Sequence, residues 1–168
     1  MLGPGLRLLI VGINPGGLSA QTNRHYAGPG NRFWPALSAS GLIPHPMGPQ
    51  DQRSLPRYGI GLTNLVARPS VTAAELRAVE LRAGLRQLEA KVADLDPAII
   101  VVLGVTAYRI AAKAPKAVRG AQADRPGWWL DDNPSGLNAH ATIPKLAMAL
   151  ASAGRREGLP ATPDQSPS

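Results

Sequence analysis

Two short runs in this chain combine polar side chains with turn residues in a way that can do chemistry: Gly12-Ile13-Asn14-Pro15-Gly16 and Asn133-Pro134-Ser135-Gly136-Leu137-Asn138. An asparagine side chain offers one acceptor and two donors and does not ionise near neutral pH. A site built on Asn14 can therefore orient a water or a polar ring edge, but it cannot pull a proton as a carboxylate would. Gly12 and Gly16 allow a ligand to approach the backbone closely, and Pro15 stiffens the exit of the turn. Taken singly, each Asn-Pro pair also reads as an ordinary turn after a core strand. Other chemistries are missing. The chain has no cysteine, which removes disulfides, thiolate nucleophiles and cysteine-ligated iron–sulfur clusters. His25, His45 and His140 are too widely spaced for a metal signature. No metal or other cofactor is expected.

The elements that must position these runs are legible. Leu8-Leu9-Ile10-Val11 leads straight into the first turn as a strand buried on both faces. In open α/β sheets ligands bind beyond the carboxyl ends of strands, where Asn14 would lie. Residues 17–32 read as a long polar loop over that strand end. Asn31 can cap a helix carrying Phe33 and Leu37, which Gly41 ends, and the proline-rich residues 43–57 read as a connector. Gly59–Val66 is a second strand-like segment. Thr72-Ala73-Ala74-Glu75 has capping-box spacing, so the next helix is expected to start at Thr72. Its inner ladder is Leu81, Leu85, Leu88, Val92 and Leu95, and Asp96-Pro97 stops it. Ala98–Gly104 is the most strand-like run, followed by a helix around Val105–Lys113. Residues 114–127 read as basic and irregular, Trp128-Trp129-Leu130 as a very short apolar run, and Thr142 as the start of a last helix carrying Leu146 and Leu150. Strands alternating with helices imply a parallel sheet with helices on both faces. One domain over residues 1–153 and a disordered tail over 154–168 are expected.

With 18 Lys and Arg against 11 Asp and Glu the chain carries a formal charge of +7, which favours a polyanionic partner. The apolar run at the start is too short for a signal peptide, and nothing approaches the roughly 20 apolar residues of a membrane span. No membrane association is expected, and the protein is read as a soluble, cytoplasmic monomer. Gly104 before a helix would suit an anion, but no G-x-G-x-x-G or P-loop pair occurs.

Both Asn-Pro turns follow apolar runs, so a parallel sheet brings them to one edge and one pocket. Together with Asn31-Arg32-Phe33-Trp34, Gly61-Leu62-Thr63-Asn64-Leu65-Val66-Ala67-Arg68-Pro69 and the Leu-Gly-x-x-Ala-Tyr pattern at Leu103–Tyr108, they make the chain resemble the mismatch-specific uracil-DNA glycosylase and thymine-DNA glycosylase family. The resemblance covers about residues 6–150. It implies a three-layer α/β/α sandwich with a short, mainly parallel central sheet. It also implies hydrolysis of the N-glycosidic bond of uracil, or of a related damaged or mismatched pyrimidine, chiefly opposite guanine. The partner is then double-stranded DNA at the nucleoid, and the products are free base and an abasic site.

Under that resemblance Asn14 positions the attacking water, and Asn133 with the backbone of Gly12, Ile13 and Gly16 faces the base. Tyr26 stacks on the flipped ring, Ser19 and Ser135 grip flanking phosphates, and Leu137 is the wedge between Gly136 and Asn138, with Asn138 facing the orphaned guanine. Because an amide is a poor base, the reaction would rely on departure of the pyrimidine anion into hydrogen-bond donors in a dry pocket. The chain departs from the family pattern before the second turn, where Asp131-Asp132 stand and should repel phosphate, be bent away, or help activate water. Two rival readings remain open here: a lesion-binding module without activity, and a nucleotide- or sugar-phosphate-binding α/β enzyme.

Overall fold

The centre of a parallel sheet covered on both faces demands a strand with no polar side chain, and Leu8–Gly12 (β1) meets that demand with all five residues buried. The structure is a computed structural model that describes residues 2–155. Parallel to β1 lie Ile60–Asn64 (β2) on one side and Ile99–Leu103 (β3) on the other. Beyond β3 come two further strands in space, Gly120–Ala121 (β4) at the edge and Trp128–Asp131 (β5) between them. β5 runs parallel to β3, and β4 runs antiparallel to β5, giving the order β2-β1-β3-β5-β4. The α-helices are α1 (Gly17–Thr22), α2 (Phe33–Ala39), α3 (Ala78–Leu95), α4 (Val105–Ala111) and α5 (Ile143–Arg155).

Alternation along β1 divides the core in two. Leu8 and Ile10 pack with Phe33, Trp34 and Leu37 of α2 and with Leu146 and Leu150 of α5. Leu9 and Val11 pack with Leu81, Leu85 and Leu88 of α3 and with Tyr108 of α4. The result is the three-layer α/β/α sandwich, mainly parallel, that the family resemblance implies. Leu8, Leu9, Ile10 and Val11 are at 0% exposure. Each contributes about 1.5–3 kcal/mol by burial, so the turn that follows β1 is anchored to the most stable part of the molecule. α3 comes so close to the exit of β2 that a Cβ on Gly84 would run into the Leu65 carbonyl oxygen. From β1 the chain crosses to β2, and from β3 it crosses the opposite way to β5. That reversal opens a crevice at the carboxyl ends of β1 and β3.

Several local readings change. The loop over 17–32 is helical at its start, because α1 occupies Gly17–Thr22 without any side-chain cap to announce it. From inside the 43–57 connector to one residue past it, Pro49–Tyr58 forms a 3-10 segment. The box at Thr72 closes only one 3-10 turn, Ala73–Glu75, because Leu76 is extended. The helix proper begins at Ala78, where the Arg77 N–H donates to Glu80 Oε2 at 2.9 Å. The irregular stretch 114–127 contains β4, a strand too short for any periodicity, held by Gln122 N–H to Trp128 O at 2.9 Å. α5 continues to Arg155, so Gly154 and Arg155, expected in the tail, are helical. The rest of that tail, 156–168, lies outside the described residues. The α3 ladder, the stop at Asp96 with φ 44°, and the last helix after Thr142 stand where the sequence puts them.

Candidate active site

A cleft of about 1210 Å³ lies over the carboxyl ends of β1 and β3. Both Asn-Pro turns line it, as does the loop that carries Tyr26. The first turn is tied down on one side. The carbonyls of Gly12, Ile13 and Pro15 accept the N–H groups of Leu65, Val66 and Ser70 at 2.8, 2.8 and 3.3 Å.

Asn14 is held through its amide nitrogen. Nδ2 donates to Arg68 O at 2.9 Å and to Ser70 Oγ at 2.7 Å. Ser70 Oγ in turn donates to Thr72 O at 2.7 Å. Both neighbours of Nδ2 act as acceptors, so the amide has one orientation, and its Oδ1 is the atom left to accept a hydrogen bond from a molecule in the cleft. Arg68 is itself clamped. Its Nε and Nη2 donate to the two carboxylate oxygens of Glu80 at 2.8 and 3.2 Å, and Nη2 reaches Glu75 O at 3.3 Å. The hydrogen bond from Arg68, then that from the Arg77 N–H, pulls the Glu80 carboxyl down to about 2. The displaced start of α3 thus has a local consequence: it puts Glu80 where it fixes the backbone that orients Asn14.

Tyr26 closes the floor. Its ring stacks on Phe33 at 4.0 Å, and Phe33 meets Trp34 edge-on at 5.2 Å. Its φ of 55° is unusual for a residue with a Cβ, and the surrounding bonds hold it there. Trp34 Nε1 donates to His25 O at 2.9 Å, His25 N–H to Gln52 Oε1 at 2.9 Å, and Gln52 Nε2 to Asn23 O at 2.9 Å. Burial lowers the His25 pKa and raises that of the Tyr26 phenol. The phenolic oxygen is buried without a hydrogen-bond partner among the described residues. A Cβ on Gly12 would stand 2.5 Å from Asn64 Oδ1 and 2.8 Å from this oxygen. Only glycine at position 12 lets the strand end, Tyr26 and Asn64 converge. Ser19 is buried beneath the same loop, and its Oγ accepts the Ala27 N–H at 3.0 Å.

The second turn is a self-tied unit. Asn133 Oδ1 accepts the Ser135 N–H at 3.0 Å, which leaves the Asn133 amide nitrogen as its free donor at the cleft. Ser135 Oγ accepts the Leu137 N–H at 3.3 Å. Asn138 spends its side chain inside the loop, with Nδ2 donating to Asn133 O at 3.0 Å and Oδ1 accepting the His140 N–H at 3.2 Å. Its backbone is committed as well, the N–H to Ser135 O at 3.0 Å and the carbonyl to Arg32 Nη1 at 2.7 Å and the Ala141 N–H at 3.3 Å. Leu137 stands 76% exposed at the tip.

The two acids before this turn part company. Asp131 ends β5 opposite Leu103, is buried, and keeps Oδ2 without a partner among the described residues. Burial is the main cause that pushes its pKa up to about 6. Asp132 lines the cleft and pairs with Arg119 Nη2 at 2.9 Å, so its charge is offset. Among the described residues no group of three or more His, Cys, Asp or Glu is placed to hold a metal ion, and no helix is long and apolar enough to cross a membrane.

Three contributors have no role that the sequence assigns, although Asn64 and Arg68 stand in the Gly61–Pro69 run. Asn64 ends β2 in register with Gly12, so its position at the carboxyl end of a strand is a usable signal. Ser70 and the Arg68 carbonyl reach Asn14 from more than fifty residues away. Nothing local announces them.

The fold and cleft define an α/β protein with a cleft at the switch point of a mainly parallel sheet, lined by an aromatic floor and an immobilised amide. The Uracil DNA glycosylase superfamily matches residues 1–151, and the chain belongs to that superfamily. Its members are DNA glycosylases, hydrolases of base excision repair acting on DNA that contains uracil.

Proposed function

We propose that this chain is a monofunctional glycosylase of the mismatch-specific uracil-DNA and thymine-DNA glycosylase type, acting as a monomer on uracil opposite guanine. The observation that carries this reading is the orientation of Asn14, whose amide nitrogen is committed to Arg68 O and Ser70 Oγ while its oxygen is left for a water. No carboxylate takes that place in the first turn, so the reaction runs by departure of the base. The C1′–N1 bond breaks first with its electron pair leaving on uracil N1, the sugar gains oxocarbenium character, and the water held by Asn14 adds to C1′ and gives up its proton to the uracil anion or to solvent. The leaving uracil anion is met by the amide nitrogen of Asn133 and by backbone N–H groups near Gly12, Ile13 and Gly16. Tyr26, fixed on Phe33, gives the flipped ring a face to stack on. Ser19, Ser135 and Gly136 serve the flanking phosphates, and Leu137 fills the gap in the stack, with the backbone next to Asn138 beside the orphaned guanine. The ordered matches around Asn31–Trp34, Gly61–Pro69 and Leu103–Tyr108 support the mismatch-directed branch.

The test is a set of duplexes carrying G·U, A·U or G·T at one position, incubated with the protein and then cleaved at abasic sites with alkali. Strand cleavage is expected fastest for G·U and only after alkali. Tight binding with no alkali-labile site would favour a lesion-binding module instead. Borohydride trapping belongs in the same experiment. Neither turn contains a lysine, but Lys91 of α3 reaches the cleft margin. Monofunctional action predicts no trapped complex; a trapped one would assign Schiff-base chemistry, with Lys91 the first residue to replace.

A further inference from the structure

Arg32 lies at the entrance of α2, half-buried, between the loop that carries Tyr26 and the turn that carries Leu137. An arginine on a DNA-facing edge is ordinarily read as a phosphate contact. Here the Nη1 donors and the backbone N–H go elsewhere. The Arg32 backbone N–H donates to Pro134 O at 2.9 Å, and Nη1 donates to Ser135 O at 3.2 Å and to Asn138 O at 2.7 Å. Those two carbonyls flank the Gly136-Leu137 tip on either side. The remaining bonds of the 133–138 turn are internal to it or to its immediate continuation, so these three join the unit to the body of the fold. The two loops also touch backbone to backbone. A Cβ on Gly136 would lie 2.7 Å from Gly30 O, which leaves no room for any other residue there.

We infer that Arg32 is the positioning residue of the wedge: its guanidinium grips the turn at Ser135 and Asn138, sets how far Leu137 projects, and couples that projection to the loop that floors the base pocket. The inference rests on the glycosylase reading for its substrate, but its mechanical part does not need the chemistry. An exposed leucine can drive into a base stack only if its loop does not yield. Two hydrogen bonds from one charged nitrogen, on opposite sides of the tip, resist that push more than the internal turn bonds can. Lysine at this position keeps the charge and three donors, though without the planar fork.

The experiment compares Arg32→Met, Arg32→Lys, Leu137→Ala and the Arg32→Met/Leu137→Ala double variant. Single-turnover excision is measured for uracil opposite adenine, opposite guanine and in single-stranded DNA. Arg32→Met is expected to lose roughly thirtyfold on the A·U duplex, the equivalent of two ordinary hydrogen bonds. The loss is smaller for G·U and smallest in single strands, because the cost of unstacking and unpairing falls in that order. A merely structural defect would lower all three alike. Leu137→Ala gives the same graded profile, and adding Arg32→Met to it costs less than about a further twofold, because the two residues act through one another. Arg32→Lys recovers part of the loss. A second readout uses a duplex with a stable abasic-site analogue beside 2-aminopurine, where wedge entry raises emission without any bond being cut. That rise is expected to shrink in Arg32→Met as it does in Leu137→Ala. Multiplying losses in the double variant, or an emission rise indifferent to Arg32, overturns the inference. Absence of uracil excision by the unaltered protein, with an emission rise that still depends on Arg32 and Leu137, overturns the glycosylase reading and leaves the mechanical assignment supported.

Discussion

Replacing Ser70 by alanine removes one of the two acceptors that orient Asn14 and leaves the other, Arg68 O at 2.9 Å, in place. The water-accepting oxygen is then held by one bond instead of two. One hydrogen bond between neutral groups is worth about 0.5–1.5 kcal/mol. The expected loss in the chemical step is therefore about two- to tenfold. Deleting the amide itself removes the positioned group, which costs on the order of 10²–10³ in rate. Ser70→Ala should thus fall between the unaltered protein and Asn14→Ala, well above the latter. The assay is single-turnover release of uracil from a G·U duplex at saturating protein, with duplex affinity measured separately. Affinity should move little, since neither group is assigned to a phosphate. If Ser70→Ala lost as much as Asn14→Ala, Ser70 would itself be touching the water and the orientation argument would be wrong. If it lost nothing, Arg68 O alone would suffice and the serine would be incidental.

Asp131 supplies a pH test. An aspartate has a pKa near 3.9 when exposed, and burial raises this one to about 6 in the folded chain. Between about pH 4 and pH 6 the native state binds the proton more tightly than the unfolded state, so the contribution is fully present below that window and is lost as pH rises through it. Two units correspond to about 3 kcal/mol, so Asp131→Asn should resist urea better at pH 8 and show little gain at pH 4; an equal gain at both would refute a titrating carboxyl as the cause. Gly84→Ala should destabilise by about 1–3 kcal/mol, because its methyl group meets the Leu65 carbonyl oxygen, and an unchanged urea midpoint would show that α3 can shift at no cost. Excision in EDTA should proceed at the full rate, since the nucleophile is a water held by an amide. Activity lost to the chelator and restored by added metal would contradict that.

What was legible in the sequence follows the range of the forces involved. β1 and β3 announce themselves because a strand buried on both faces must be an unbroken aliphatic run, and α3 does so because its ladder repeats at helical spacing. α1 hides because nothing at Gly16 caps it, and β4 because two residues have no period. The box at Thr72 is real, yet a local signal cannot say that Leu76 will be extended and the helix delayed to Ala78. At the site, Asn14, Tyr26, Asn133 and Leu137 stand in recognisable runs, and all four reach one cleft. Their supports are not legible as such, even though Arg32 stands in the Asn31–Trp34 run. Ser70 acts through one hydrogen bond across 56 residues and Arg32 through two across more than 100, which only the folded chain brings within reach. Asp131 looked like a threat to phosphate binding from its charge alone, and its buried place at the end of β5 removes it from that role.

The central claim, that Asn14 serves the chemical step and not the grip on DNA, is tested most directly by one comparison. Release of uracil from a G·U duplex is followed by rapid quench under single-turnover conditions for the unaltered protein and for Asn14→Ala, with the dissociation constant of each for the same duplex. The account predicts a rate lower by on the order of 10²–10³ and a nearly unchanged dissociation constant. Excision by Asn14→Ala at the unaltered rate, or a loss carried entirely by weakened binding, would contradict it.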